Sequence, residues 1–390
     1  MLQAKLKNGK LITLVSLTRQ EILKAKQDEF FCPICNELVL VKAGQKTVPH
    51  FAHRSKLECA SHDYGEGPYH EQGKLLLYNW LKNQGADVEL EKYIAEINQR
   101  PDLYVTVKGR KIAIEYQCAR IPVEVLNQRN IGYMKAGITP IWILGAKHFQ
   151  RLRQHHFKAD QLILSFLHRF SPDFPLTLYF FCPQTLQFIF IQHIHLLSSR
   201  QAIGLFKFTS LKNMTFSSLF SQQKLHDKWL FGLWGNEKKN FRLRQSNRLY
   251  GSELAWHKWL YEKGTHKENL PSIVHLPVAA QYRMGTPLHN WQSRLCLDLL
   301  HPMPIGSTFS LERCQRILRY HPHQHFFLIK GVDNPIYEYL ALLKKLQIIE
   351  EINARLFKKV KEIHFHKNIE ESLAADARLM NQIIHCSTMD

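Results

Sequence analysis

Between Arg100 and Gln117 the chain reads RPDLYVTVKGRKIAIEYQ, and its apolar positions alternate. Leu103, Val105 and Val107 lead into Lys108-Gly109, and Ile112, Ile114 and Tyr116 follow it. A period of two is that of a half-buried strand, and a Lys-Gly pair between two such runs predicts a tight hairpin. With that turn Val107 faces Arg110, Leu103 faces Ile114, and Asp102 falls opposite Glu115, Cβ atoms roughly 4.5–5.5 Å apart. Like charges across a ladder repel, and a divalent cation shared by both carboxylates is the simplest compensation. The same alternation puts Glu115 and Gln117 on one face. On these residues alone, a solvent-facing hairpin that carries two acids is the competing reading.

The flanking patterns build a small domain around this hairpin. After Pro68 a helix is expected, with Leu75, Leu76, Tyr78, Trp80 and Leu81 as its apolar bulk. Val88 to Ile94 reads as a strand, and a second helix spans about 122–136 between Pro122 and Gly137. Residues 140–145, PIWILG, read as a buried strand. The order helix, three strands, helix, strand predicts an α/β unit with a mixed sheet. Ahead of it lie a short hairpin at Asn8-Gly9 and a helix over about 19–27, opened by the capping box of Thr18 and Glu21. Behind it, residues 177–193 form two aromatic-rich strands around a Pro-Gln turn. From about 205 onward most segments read as helix, with Trp229, Trp234, Trp256 and Trp259 as core bulk. A last amphipathic helix is expected over 336–362, with Leu340, Leu343, Leu346, Ile349, Ile352 and Leu356 as its stripe. No internal repeat or low-complexity tract interrupts the chain.

Composition narrows the function classes. A chain of 390 residues, 45% hydrophobic and 11% aromatic, is globular rather than disordered. Its 52 Lys and Arg against 33 Asp and Glu leave a net charge of +19, which points to a polyanion, nucleic acid before membrane. No run of about 18 apolar residues is present, so no membrane span is expected. The first residues, MLQAKLKNGK, lack the apolar run of a signal peptide. Eight cysteines in a chain this long do not make a disulfide scaffold, and a reducing cytoplasmic location is expected.

Two clusters carry candidate chemistry. Cys32 and Cys35 have metal-knuckle spacing, and His50, His53, Cys59 and His62 follow. Four of Cys32, Cys35, His50, His53 and Cys59 would complete a tetrahedral zinc site, in which thiolate and imidazole suit the ion and the ion stabilises a module with little core. A redox Cys-x-x-Cys lacks its strand–motif–helix context here. The second cluster is Glu66, His70, Glu71 and Lys74 at the start of the helix ahead of the hairpin, with His70 and Lys74 one turn apart on one face. The alternate histidines His321, His323 and His325 have no cysteine or acid alongside and are read as surface.

Taken together, Cys-Pro-x-Cys, Pro-His-Phe-Ala-His, Glu66…His70…Lys74, Arg-Pro-Asp, Ile-Glu-Tyr-Gln and Ile-Trp-Ile-Leu-Gly resemble the competence protein CoiA family. The resemblance rests on residues 30–145. It implies a zinc-finger-like module over 1–64, a restriction-endonuclease-like α-β-β-β-α-β core of the PD-(D/E)xK kind over 65–146, and a mostly helical region over 147–390. It further implies a protein that handles DNA in natural transformation, together with recombination proteins. Asp102 and Glu115 would hold Mg²⁺ or Mn²⁺, Glu66 would be the helical acid with Glu71 its rival, and His70 or Lys74 would steady charge. The superfamily lysine is here Gln117, which hydrogen-bonds but carries no charge. Arg100, Gln128, Arg129 and Tyr133 would line the DNA. The readings in contention are a metal-dependent nuclease, a DNA-binding factor of the same fold with little activity, and a protein-binding module whose metal is zinc alone.

Overall fold

The central hairpin forms in the expected register. In the computed structural model, which describes residues 1–44, 48–54, 67–245, 248–320 and 326–386, Leu103 pairs with Ile114 and Val107 with Arg110. Lys108 and Gly109 both take positive φ, 48° and 75°, as a two-residue turn between twisted strands requires.

The chain divides into two units, Met1–Ile194 with Gly204–Gln222 and Phe326–Gly331, and His195–Ile203 with Gln223–His325 and Val332–Asp390. The first opens with β1 (Gln3–Leu6), β2 (Leu11–Thr13), α1 (Arg19–Ala25), β3 (Phe30–Phe31), β4 (Leu38–Lys42) and β5 (His50–His53). These strands form one sheet in the order β2-β1-β3-β4-β5. Thr18 and Glu21 close the capping box at the start of α1. Ala4, Leu14, Phe30, Val39 and Phe51 fill a core of very few side chains.

Next come α2 (Pro68–Lys82), β6 (Asp87–Leu90), β7 (Leu103–Val107), β8 (Arg110–Gln117), α3 (Val123–Lys135) and β9 (Thr139–Gly145), in the predicted order. The sheet does not stop there. β10 (His156–Lys158), β11 (Thr177–Cys182), β12 (Gln187–Leu196) and β13 (Gln201–Ser210) extend it, with α4 (Gln161–Ser165) between β10 and β11. The eight strands run β10-β13-β12-β11-β9-β8-β7-β6. β9 lies parallel to both β8 and β11, so the sheet is mixed. The boundary expected at 146 falls inside this sheet, because Leu144 and Phe180 pair across it.

Alternation along β7 and β8 sorts the two faces. Leu103, Val105, Ile112, Ile114 and Tyr116 share a core with Leu77, Trp80 and Leu81 of α2. Tyr104 and Ala113 pack with Tyr133 and Ile138 on the α3 side. Leu77 and Leu81 are fully buried, a contribution of about 1.5–3 kcal/mol each. Gly73 sets how closely α2 can approach β8. A Cβ there would lie 2.0 Å from the Tyr116 ring, which is itself buried and cannot step aside. Gly73→Ala is therefore expected to destabilise the protein by about 1–3 kcal/mol, read as a lower denaturation midpoint.

β9 is pinned from outside the sheet. The Trp142 amide donates to His168 Nε2 at 3.0 Å, and the Trp142 indole donates to Asn130 Oδ1 at 2.9 Å. Burial pushes the fully enclosed His168 imidazole down to about 3, so it serves as a neutral acceptor. A folded-state pKa below the unfolded value of 6.5 gives stability that is complete above that pH and fades as pH falls toward 3. His168→Gln retains an acceptor but cannot titrate. The variant should flatten the acid limb of the stability curve in that window, measured by urea titrations at stepped pH.

The second unit contains α5 (Asp227–Leu243), α6 (Gly251–Glu262), α7 (Leu288–Leu295), β14 (Thr308–Ser310), α8 (Leu311–Leu318), α9 (Pro335–Lys345), β15 (Ile349–Asn353), β16 (Leu356–Lys359) and α10 (Ile369–Cys386). Its strands form a sheet in the order β14-β16-β15, so the region is not purely helical. The helix expected over 336–362 ends at Lys345. Gln347 and Arg355 take positive φ, 56° and 70°, and the chain between them turns into a hairpin. Leu340, Leu343 and Leu346 are buried as expected, whereas Ile352 is half exposed. Trp234 and Trp256 are buried, and Trp229 and Trp259 only partly so. No helix among the described residues is long and apolar enough to cross a membrane.

Candidate active site and metal centre

Asp102 stands one residue ahead of β7, and the ladder places it across from Glu115. The two carboxylates sense each other. Burial pushes the Glu115 carboxyl above its usual range and the charge on Asp102 adds to that, while Arg129 pulls the other way. Glu115 Oε1 accepts from Arg129 Nε at 3.2 Å, and also from Arg129 Nη2 and the Tyr133 hydroxyl. Asp102 Oδ2 accepts from the Tyr116 amide at 2.8 Å and lies 3.3 Å from His70 Nε2. Lys74 Nζ is 3.7 Å from Asp102 Oδ1. The acids thus share one end of the sheet but are served from different helices, Asp102 by α2 and Glu115 by α3.

The charged first turns of α2 belong to this site. Lys74 is completely buried and bonds Glu91, with Glu71 Oε1 at 3.4 Å. The His70 ring stacks on Tyr116 with centroids 5.7 Å apart. Glu91 is the member that sequence reasoning missed. It follows β6 with φ of 50° and is buried, and it takes backbone amides from Leu2 at 2.8 Å and Gln3 at 3.2 Å. Arg100 Nη1 lies 3.6 Å from the same oxygen, Oε2. Its one local signal was a charged residue ending an apolar strand, which does not distinguish a buried acid from a solvated one.

Several expected roles change. Tyr133 does not line a DNA surface, because it is fully buried with its hydroxyl on Glu115. Arg100 is likewise turned inward, to Glu91. Gln128 is exposed, and its carbonyl accepts from Gln99 at 3.3 Å. Arg129 also reaches the Arg100 carbonyl at 3.1 Å, which ties α3 to the start of β7. Gln117 spends its amide on the Ala119 carbonyl at 2.8 Å. Lys74, a candidate substitute for the lysine absent at 117, is enclosed among carboxylates and cannot present its charge to a substrate. Glu66 lies outside the described residues. A cleft of about 440 Å³ opens at the start of α2, lined by Val48, Pro68, Tyr69, Gln72, Lys147 and Gln184. Neither Asp102 nor Glu115 lines it.

The metal knuckle assembles on the small sheet. Cys32 follows β3, and its amide donates to the Glu37 carbonyl at 2.8 Å, folding the loop so that Cys35 returns beside it. The ligand atoms of Cys32, Cys35 and His53 lie within 4.8 Å of one another, with Cys35 Sγ 3.3 Å from His53 Nε2. His50, weighed as a ligand, is turned away. It is three residues from His53 on the same strand and so on the opposite face, and its Nδ1 meets the Val48 carbonyl at 3.0 Å. Cys59 and His62 lie outside the described residues. Two thiols and an imidazole are donors that suit a borderline-soft divalent ion.

Comparison with known proteins follows the same division of the chain. Residues 14–62 match the family described as Competence protein CoiA, N-terminal domain. Residues 66–224 match its nuclease-like domain, and residues 232–373 its C-terminal domain. The nuclease-like match runs past β13 and so takes in the whole eight-stranded sheet. No solved structure matches the chain. Competence protein CoiA of Bacillus subtilis (strain 168) is 31% identical over 311 residues, 77% of this chain and 80% of that relative. With a Cys/His knuckle, a mixed sheet bearing an acid pair and three consecutive domain matches, the chain belongs to the competence protein CoiA family.

Proposed function

We propose that this protein processes DNA in natural transformation as a metal-dependent nuclease, cutting incoming strands or recombination intermediates at the sheet end that carries Asp102 and Glu115. The observation that supports this most is the closeness of two acids where the β7–β8 ladder ends at Leu103 and Ile114, Glu115 having its carboxyl pushed up by burial and by the charge on Asp102. Two adjacent carboxylates offer oxygen donors only, and such a set fits Mg²⁺ or Mn²⁺. Asp102 and Glu115 would hold such an ion, which would supply Lewis-acid activation of the phosphodiester and of water. Arg129, now bonded to Glu115, is the cation beside the site that would meet the phosphate charge. His70 orients Asp102. The excess of Lys and Arg holds the DNA by its backbone, in a manner that weakens with salt.

A second reading has its own support. Glu115 is already ion-paired with Arg129 and hydrogen-bonded by Tyr133, and Gln117 stands where the superfamily lysine would be. Both features suit a factor that binds DNA in recombination without cutting it. Incubation with linear, nicked and branched DNA in Mg²⁺ or Mn²⁺, and then in EDTA, separates the two. Cutting that requires the metal supports the nuclease. Binding without cutting in either metal supports the second reading, and no binding at low salt overturns both.

The knuckle is proposed to hold a structural zinc in a cytosolic protein, with Cys32, Cys35 and His53 as three of its ligands and Cys59 as a candidate for the fourth. Metal analysis of purified protein should find about one zinc per chain. Cys32→Ser should remove that zinc and loosen the first sheet, seen as faster hydrogen exchange in β3 to β5. A chain free of zinc that keeps the same exchange pattern overturns the assignment.

A further inference from the structure

The positive charge is unevenly spread. Between Glu124 and Asp227 the only acids are Asp160 and Asp173. Asp160 is taken, pairing with Arg120 at 3.0 Å and capping α4 through the Ile163 amide. Lys147, Arg151, Arg153 and Lys158 cluster in the segment that leads through β10, with no acid among them.

Beside this segment the far part of the large sheet carries a cluster of aromatic rings, of which Phe208 is exposed and Phe206 and Phe149 partly so. Phe206 and Phe208 are two residues apart on β13 and so share a face, and Phe208 is 44% exposed. Phe149 packs against both, with centroids 5.7 and 6.2 Å away. Phe206 and Phe208 stand 6.4 Å apart at 89°. In such an edge-to-face pair one ring keeps a face that the other does not cover. Arg151 lies over two of them, 5.5 Å from the Phe206 centroid and 6.0 Å from that of Phe208. It is held there by bonds to the carbonyls of Arg153 at 3.1 Å and Gln154 at 2.9 Å.

We propose that Phe206, Phe208 and Arg151 form a stacking platform for an unpaired DNA strand. An exposed aromatic ring such as Phe208, set beside fixed cations, is what single-strand binding uses, the ring taking a base and the cations the backbone. A duplex cannot use such rings, because its bases already stack on each other. The scarcity of acids in this stretch, with Asp160 already paired to Arg120, favours the approach of phosphates. This inference rests on the DNA reading above and adds the form of DNA that the sheet receives, at a surface whose binding needs no divalent metal.

The test is fluorescence anisotropy with the full chain in EDTA, which separates binding from cutting, using labelled oligo(dT) and a duplex of equal length. Phe208→Ala is expected to weaken oligo(dT) binding about tenfold and to shift duplex binding by less than about twofold. In a second variant, Phe208→Trp, oligo(dT) should quench indole emission beyond what the unsubstituted protein shows, since a stacked base quenches its neighbour. Unchanged oligo(dT) affinity in Phe208→Ala, an equal loss on duplex, or a silent tryptophan overturns the platform. A surface that receives another protein instead gives the first and third of these results. If the unsubstituted protein binds oligo(dT) and only the platform variants fail to respond, the DNA reading survives. If it binds neither probe at low salt, both fall.

Discussion

Replacing Glu115 by glutamine should lower metal-dependent cutting of DNA by about a thousandfold or more, the loss expected when several kcal/mol of charge stabilisation disappears. The substitution is chosen for what it leaves intact. Glutamine retains an oxygen for Arg129 and Tyr133, so the α3 contacts stay and the melting temperature should hardly move. Only the negative charge goes. The raised pKa of Glu115 makes a companion prediction. A metal binds the ionised carboxylate, so activity should rise with pH at values above the ordinary carboxylate range as Glu115 loses its proton, and the Gln variant should lack that limb. Gel assays across pH in Mg²⁺ would show both. Cutting by Glu115→Gln at the parent rate removes the acid pair from the mechanism.

Lys74→Met is expected to cost about 3–5 kcal/mol of stability. The ammonium is inaccessible to solvent and serves Glu91, Glu71 and Asp102. Methionine fills the space but supplies no charge, so carboxylates in contact with the former ammonium remain buried and uncompensated. Adding Glu91→Gln should recover part of the loss, because one of the stranded charges is then gone. A double-mutant cycle by urea denaturation measures the coupling, which should exceed about 1 kcal/mol for groups in direct contact. A Lys74→Met midpoint equal to the parent's would mean that water reaches the cluster.

The parts of this molecule that could be read from sequence are those fixed by neighbours along the chain. The Lys108-Gly109 turn sets the ladder, and the ladder puts Asp102 across from Glu115. The capping box at Thr18 and the helix–strand order of residues 68–145 are equally local. What escaped depends on distant packing. β11 and β12 were legible as a hairpin, but the parallel pairing of β11 to β9 has no signature in either strand, so the sheet looked complete at 146. Arg129 and Tyr133 were legible as helical neighbours. Whether they point to a ligand or to Glu115 depends on which face of α3 meets the sheet. The leucine and isoleucine stripe over 336–362 fits a helix by period, yet two left-handed residues divide it. The mutual neutralisation of Glu71, Lys74 and Glu91 is tertiary throughout.

The amides of Leu2 and Gln3 that end on Glu91 carry a practical lesson for dissecting the chain. Family boundaries invite a fragment beginning at residue 66, yet such a fragment would lack the N-terminal segment, Leu2 and the start of β1, that supplies Glu91 with two of its donors. The excised piece would keep its acids and lose part of what solvates them from within. An inert fragment would then report a surgical injury rather than the absence of an enzyme.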